Sequence, residues 1–158
     1  MKKEKIAEFT RKISQSNRSE LIVVIYDIYF VCLSDARAAY KNEQWDDFKE
    51  SVRHAQRAID ELIDALDFSY ELARNLCQIY MFCKDTLAKA IYARQISEIE
   101  TAERLMGKLY ESFVQVAKQD LSKPLMQNAQ QVYAGFTYGR EELTETCQDF
   151  TNNRGFLV

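Results

Sequence analysis

Residues 21–33 read Leu-Ile-Val-Val-Ile-Tyr-Asp-Ile-Tyr-Phe-Val-Cys-Leu and contain one charged side chain, Asp27. The run is too short to cross a bilayer, which takes about 20 apolar residues. Asn17 and Glu20 stand in front of it at the spacing of a helix capping box. A helix that packs on one side needs only an apolar stripe, whereas this one is apolar nearly all round. We therefore expect either the central, fully wrapped helix of its domain or a helix that awaits a partner chain.

Apolar residues recur at alternating three- and four-residue spacing in four consecutive segments, which is typical of packed helices. The four rows are Ile22, Ile25, Tyr29, Cys32, Ala36 and Ala39; Trp45, Phe48, Val52, Ala55, Ile59, Leu62 and Leu66; Leu72, Leu76, Ile79, Cys83, Leu87 and Ala90; and Ile99, Ala102, Met106, Leu109, Phe113 and Val116. The connections near 41–44, 67–70 and 93–97 are short, so successive helices of about 24 residues should run antiparallel. Ser69 and Ser97 are expected to cap the third and fourth helices.

The residues that break helices are concentrated near the C-terminal end. Residues 1–123 contain no proline and one glycine, Gly107, whereas Pro124 and three glycines follow. The sequence therefore predicts an all-α protein, with an antiparallel up-down four-helix bundle over residues 1–120 and a C-terminal extension over 121–158. The extension carries five aromatic residues, and disordered tails are normally poor in aromatics, so we expect it to pack on the bundle or its groove.

The composition is that of an ordinary soluble domain, with 158 residues, 47% apolar and 28% charged. The net charge is −3 and no basic stripe stands out, so nucleic acid is not expected as a partner. No apolar segment follows the basic N-terminus directly, and we expect neither a signal peptide nor membrane insertion. The four widely spaced cysteines are interpreted as unpaired thiols in a reducing cytoplasm, rather than as disulfides or metal ligands.

His54 is the only histidine, which excludes a di-iron carboxylate bundle and a zinc site built on several histidines. The simplest interpretation places it on a helix surface, one position before Ala55 of the apolar row. The alternative is a phosphotransfer bundle in which Arg53 and Arg57 flank a phosphohistidine, although the Lys-Gly usual in such domains is missing. No phosphate loop and no Ser or Cys nucleophile motif is present. We therefore expect a non-enzymatic protein without catalytic residues, cofactor or metal.

Asp27 has two interpretations because its surroundings are so apolar. It either points to solvent from the least buried side of the first helix, or it lies at the edge of a groove and orients a bound chain through hydrogen bonds. The neighbouring Tyr26 and Tyr29 are core or rim residues in most such helices. Their hydroxyls need partners or water, so tyrosines at a groove rim would suit peptide recognition.

Two stretches resemble the FliS family of flagellin export chaperones. Residues 19–27, Ser-Glu-Leu-Ile-Val-Val-Ile-Tyr-Asp, are similar to the family's first-helix signature, Ser-Pro-x-x-Leu-Ile-x-x-Leu-Tyr-Asp. Leu66-Asp67 and then residues 71–80, Glu-Leu-Ala-Arg-Asn-Leu-Cys-Gln-Ile-Tyr, resemble its Leu-Asp turn and its Ala-x-Asn-Leu-x-x-Leu-Tyr helix. Phe9 stands near the position of an N-terminal tyrosine. The resemblance covers roughly residues 6–119 and agrees with the bundle.

The resemblance implies a cytoplasmic chaperone that holds the disordered C-terminal segment of flagellin, prevents premature polymerisation and delivers the subunit to the flagellar export gate. The recognition would be of the helix-in-groove kind. The residues that it places around the groove are Phe9 as an N-terminal cover, Ile22, Ile25, Tyr26, Asp27, Asn75, Leu76, Ile79 and Tyr80. Whether the chain is a monomer or a homodimer stays open, and a structural bundle that self-associates through the first helix is a further alternative.

Two features, Asn75 and the C-terminal tail, each have two interpretations. The Asn75 amide is suited to pair with a client's backbone, or it is a satisfied polar residue inside the bundle. The tail after Asp120 extends beyond the family's usual end. Residues 125–150 either lie in the client groove as a removable lid, at high effective concentration, or patch the outside of the bundle.

Overall fold

The computed structural model describes residues 3–126, and within that range the protein is all-helical. The helices are α1 (Lys3–Gln15), α2 (Arg18–Lys41), α3 (Trp45–Asp64), α4 (Glu71–Ala93) and α5 (Ile96–Gln119). Each of α2, α3 and α4 packs against the helix that follows it, and α5 closes the ring against α2. The predicted helical bundle is confirmed, with α1 as an additional helix that packs on α2. The prediction for the extension falls mainly on residues 127–158, which lie outside the described residues.

Side-chain pairs between helices define their directions. On going along α2 from Asp27 to Arg37, the partners on α5 run backwards from Tyr110 to Glu103. These two helices are therefore antiparallel, as the short connections predict. Arg37 and Glu103 form a bidentate ion pair, the geometry in which a guanidinium and a carboxylate match best.

The core is built from the inner rows of α2 to α5, largely as the spacing predicts. On α3 the buried members of the predicted row are Phe48, Val52, Ala55, Ile59 and Leu62. On α4 the prediction is wrong at Leu72, which is 67% exposed. The buried row starts instead at Ala73 and continues through Tyr80 and Cys83. Val116, near the end of α5, is likewise exposed.

The helix starts follow hydrogen bonding rather than residue type alone. Asn17 caps α2 as predicted, since its side chain accepts from the Glu20 backbone N–H while the Glu20 carboxylate accepts from the Asn17 N–H. The other two predicted caps are wrong. The Ser69 N–H donates to the Asp67 carboxylate in a turn before α4, whose N-cap residue is Tyr70. Ser97 lies inside the first turn of α5 and not in front of it.

Three of the four cysteines lie in the described range, and all three are free thiols. Cys32 and Cys83 are buried in the bundle and Cys77 is half-buried, whereas Cys147 lies outside the described residues. The buried thiols therefore serve as small apolar groups in the packing of the bundle.

None of the described helices combines the length and the apolar character that a membrane crossing demands.

Candidate partner-binding grooves

Buried tyrosines hold the middle of α2 against α4. Tyr26 has no exposed surface, Tyr80 is 1% exposed, and their hydroxyl oxygens lie 2.8 Å apart. Burial raises the pKa of both tyrosines, so both hydroxyls stay protonated at neutral pH. The hydrogen bond fixes α2 relative to α4. In this structure Tyr26 is therefore a core residue that positions its neighbours, without a surface of its own to offer a partner.

The larger apolar groove beside α2 is named the helix-1 groove and lies between α1, α2 and α3. Its volume is about 560 Å³. The apolar side chains that line it are Ile6, Ile13, Leu21, Ile25, Ile28, Cys32 and Ala58. The polar side chains are all from α3, namely Glu50, His54, Arg57 and Glu61. An apolar floor with polar groups on one side suits an amphipathic segment.

One wall of the helix-1 groove is the weakly anchored helix α1. Phe9 is its buried apolar residue, with the Lys12 ammonium 5.4 Å from the ring centroid. Lys5 adds an ion pair of 3.6 Å to Asp35 of α2, in which both side chains are partly exposed. Exposed ion pairs contribute little to stability, typically under about 1 kcal/mol. The attachment of α1 therefore depends mainly on Phe9.

A second apolar groove, named the end groove, opens where α3 ends and α4 begins. Its volume is about 230 Å³. The apolar side chains that line it include Ile22, Leu62, Leu66, Tyr70, Leu72, Leu76, Tyr80 and Phe113. Tyr70 and Leu72 are 68% and 67% exposed at its mouth. The end groove therefore has room for one or two large apolar side chains.

The structure distributes the predicted site residues over both grooves. Ile25 lines the helix-1 groove, while Ile22, Leu76 and Tyr80 line the end groove. Phe9 is buried on α1, beside the helix-1 groove rather than in the lining of either groove. Residues of the two family motifs thus contribute to two surfaces on neighbouring sides of α2.

The remaining predicted residues differ in their environment. Asn75 is exposed on α4, so the alternative of a polar residue satisfied inside the bundle is wrong. Ile79 is partly buried against the core. Asp27 is half-buried and accepts a hydrogen bond of 2.8 Å from the Tyr110 hydroxyl of α5. Partial burial and this hydrogen bond raise the pKa of Tyr110. Asp27 thus links α2 to α5 at the boundary between core and solvent.

Several groove residues were not among the predicted ones. Leu21, Ile28 and the two isoleucines of α1, Ile6 and Ile13, line the helix-1 groove. The signal for Ile28 was present, because α2 holds more apolar residues than one packed face can use. A signal for α1 was also present, because Ile6, Phe9 and Ile13 recur at three- and four-residue spacing, but only Phe9 was assigned to the site.

The described residues supply binding surfaces rather than reactive groups. His54 is partly exposed, and its Nε2 lies 3.5 Å from a Glu50 carboxylate oxygen. Burial raises the pKa of the Cys83 thiol to about 11 and that of Cys32 in the same direction, so both thiols stay protonated and poorly nucleophilic. No group of His, Cys, Asp or Glu within residues 3–126 is arranged to hold a metal ion. What the arrangement offers a partner is apolar area.

A helical bundle with apolar grooves beside a central helix has surfaces of the kind that bind other protein chains. The family model of the flagellar protein FliS matches residues 2–120. The chain therefore belongs to the FliS family and has a flagellar chaperone role, as the two motifs on α2 and α4 indicate. Comparison with curated proteins gives no significant match.

Proposed function

We propose that the protein binds the C-terminal segment of flagellin in the cytoplasm, prevents its premature polymerisation and delivers it to the export gate. The observation that carries this proposal is the helix-1 groove, whose apolar floor includes Leu21, Ile25 and Ile28 of α2. In a chain of this family, such a groove is the surface best suited to an amphipathic client helix. The action is binding and release rather than catalysis.

The energetics of a disordered client fit this role. A client that orders on binding loses part of the gross interaction energy to its own ordering entropy. The complex is then specific because several apolar anchors must fit, yet weak enough to release its cargo. The end groove, lined by Ile22 and Leu76 on the neighbouring side, offers a pocket for a further anchor of the same client.

Helix α1 is proposed as the cover of the client groove. Ile6 and Ile13 are about half exposed although they line that groove, and Phe9 is the main anchor of the helix. A client helix that presents a larger apolar face would compete with α1 for the same floor. Phe9→Ser should therefore release α1 from the groove more often. Flagellin binding should tighten by several-fold, because the apparent affinity rises when the state with an open groove is more populated. Weaker binding by this variant would assign Phe9 to direct client contact.

The central test is calorimetry of the full chain with a flagellin C-terminal peptide. Ile25→Asp places a charge on the floor of the helix-1 groove and should weaken binding by at least about tenfold. Val116→Asp is the matched control, since Val116 is 54% exposed on α5 and lines neither groove. Thermal unfolding of both variants separates lost binding from lost folding. Tyr80→Ala is a poorer test, because it also empties a buried core position.

These measurements also distinguish the chaperone from the two alternatives, a self-associating bundle and a phosphotransfer protein. A dissociation constant above about 10 µM, roughly −7 kcal/mol, for every flagellin of the source organism would remove the main support of the chaperone proposal in its specific form. A concentration-dependent dimer that buries the floor around Ile25 would favour self-association. Loss of function in His54→Ala with intact peptide binding would favour phosphotransfer.

A further inference from the structure

A third groove lies between the first half of α3 and the last half of α4, and it differs chemically from the other two. Its volume is about 500 Å³, and it shares no lining residue with the helix-1 groove or the end groove. Ile91 contributes apolar surface above the buried Phe48, and the aromatic rings of Trp45 and Tyr92 stand beside it. Tyr92 is 89% exposed, although it is a large aromatic residue. We name this surface the α3–α4 groove.

The charge around the α3–α4 groove is positive, on a chain whose net charge is −3. Three cations line it, Lys49, Arg53 and Arg94, against a single carboxylate, that of Asp46. Within residues 3–126 none of the three cations has a carboxylate within the 4.0 Å of an ion pair. The apolar patch is therefore bordered by positive charges that the bundle itself does not neutralise.

One of these cations is held in place by the fold. Arg94 ends α4 in the left-handed region, with φ 51°, and its N–H donates to the Ala90 carbonyl. Its guanidinium carbon lies 4.9 Å from the centroid of the Trp45 ring. An arginine stacked on an aromatic face keeps its N–H groups free in the plane of the guanidinium, where they can meet a carboxylate. A cation fixed before binding loses less entropy when a ligand arrives.

We propose that the α3–α4 groove binds an acidic segment of a second protein, one in which Asp or Glu residues flank an aliphatic or aromatic anchor. The anchor packs against Trp45 and Tyr92, while the carboxylates pair with Arg53, Lys49 and Arg94. Charge complementarity identifies the occupant, because an uncharged amphipathic segment would leave the three cations unused. This surface lies apart from the two grooves proposed for flagellin, so the inference does not depend on the client assignment.

The chain contains a built-in reporter for the test, because Trp45 is its only tryptophan. The probe is a synthetic peptide of repeated Glu-Leu-Asp-Phe, titrated into the full-length protein while the emission of Trp45 is recorded. Binding should shift this emission and should weaken as salt is added. A peptide with Gln and Asn in place of Glu and Asp is the matched neutral probe, and its affinity should be at least about tenfold lower.

Variants locate the binding surface. The double change Lys49→Glu with Arg53→Glu reverses two rim charges and should weaken the acidic peptide by at least about tenfold. The control is Arg104→Glu with Lys108→Glu, which makes the same change of charge on exposed positions of α5 and should leave the affinity within about twofold. Tyr92→Ser should lower the affinity about threefold without affecting folding, since exposed positions contribute little to stability. All these variants should bind the flagellin peptide as the unaltered chain does.

Several results would overturn the proposal. Equal binding of the neutral peptide would remove the electrostatic basis, and competition by a single-stranded oligothymidylate would assign the rim to nucleic acid. Competition by the flagellin peptide would make the groove part of the client site. If the Trp45 emission changes with protein concentration when no peptide is present, the occupant of the α3–α4 groove is a second copy of the chain. If Glu141→Gln, Glu142→Gln and Glu145→Gln together tighten peptide binding tenfold, the occupant is the chain's own acidic residues.

Discussion

At the scale of single residues, two neighbouring tyrosines of α2 show opposite hydrogen-bonding states. Tyr26 shares a hydrogen bond with Tyr80, whereas the Tyr29 hydroxyl is buried and has no hydrogen-bond partner among the described residues. A buried hydroxyl without a partner costs about 1–3 kcal/mol. Burial raises the pKa of Tyr29 far above neutrality, so ionisation offers no relief.

The two tyrosines therefore predict opposite effects of the same substitution. Tyr29→Phe removes an unsatisfied group and should raise the free energy of unfolding by about 1 kcal/mol. Tyr26→Phe leaves the Tyr80 hydroxyl buried without its partner and should lower it by about 1–2 kcal/mol. Urea unfolding of both variants against the unaltered chain is the measurement. A loss of stability in Tyr29→Phe would mean that an ordered water satisfies the hydroxyl.

Asp120 predicts a pH dependence at the end of α5. Its carboxylate accepts hydrogen bonds from the Ser19 hydroxyl, at 2.6 Å, and from the Ser122 N–H. These bonds lower the pKa of Asp120 to about 2, below the value of about 3.9 in an unfolded chain. The contribution of the carboxylate to stability is therefore complete above about pH 4 and is lost as the pH falls towards 2.

The test is thermal unfolding of Asp120→Ala across this pH range. The variant should unfold at a lower temperature than the unaltered chain at pH 7, and the two curves should converge between about pH 4 and 2. Ser34→Ala, an exposed serine of α2 far along the helix from this junction, should behave like the unaltered chain throughout. A difference that stays constant down to pH 2 would show that Asp120 acts through packing rather than charge.

At the scale of helices and their ends, periodicity was a reliable guide, whereas of the three predicted caps only Asn17 is right. The row of α3 was predicted almost completely, because its polar and apolar sides are sharply separated. On α4 the row was misplaced at Leu72, since an apolar side chain at the mouth of a groove has the same spacing signature as a core residue. Ser69 is a good cap by type, but it lies one residue before the N-cap position of α4, which Tyr70 occupies, in a turn where its N–H donates to the Asp67 carboxylate.

Two helix ends carry left-handed backbone without glycine. They are Glu43, with φ 56°, and Arg94, with φ 51°. Glu43→Gly should raise the free energy of unfolding by about 0.5–1 kcal/mol, because relief of the left-handed conformation outweighs the extra freedom of glycine in the unfolded chain. Arg94→Gly should gain little, since it also loses the contact with Trp45, worth about 0.5–1 kcal/mol. Denaturant unfolding of the pair checks both. A larger gain at Arg94 would contradict a stabilising stack on Trp45.

At the scale of the whole molecule, the sequence predicted the helical bundle but not that the predicted site residues would fall into two separate grooves. The spacing of residues 21–33 implied surplus apolar surface on α2. Which side of α2 faces which groove depends on where α1 and the turn before α4 pack, and the spacing of apolar residues within a helix does not say which neighbour its apolar side meets. The burial of Tyr26 was likewise beyond the pattern, because an aromatic residue at a groove rim and one in the core share the same spacing.

The predicted boundary of the bundle at Asp120 can be tested directly by truncation, because residues just after it form hydrogen bonds with the bundle. The buried Asn17 amide donates to the carbonyls of Asp120 and Ser122, and the Leu125 N–H donates to the Ser16 carbonyl at 3.1 Å. Each such bond contributes about 1 kcal/mol. These contacts join residues just beyond the predicted boundary to the junction between α1 and α2.

A chain that ends at Met126 should therefore unfold at a higher temperature than one that ends at Asp120, because it keeps every hydrogen bond of this junction. A chain that ends at Asp120 loses the bonds of Ser122 and Leu125 and should unfold on the order of 5 °C lower. Calorimetry of the two truncated chains beside the full one is the measurement. If both truncations unfold early by the same amount, the residues after Met126 contribute to the stability of the bundle. If neither does, the boundary at Asp120 holds as the sequence predicts, and the junction bonds are energetically silent.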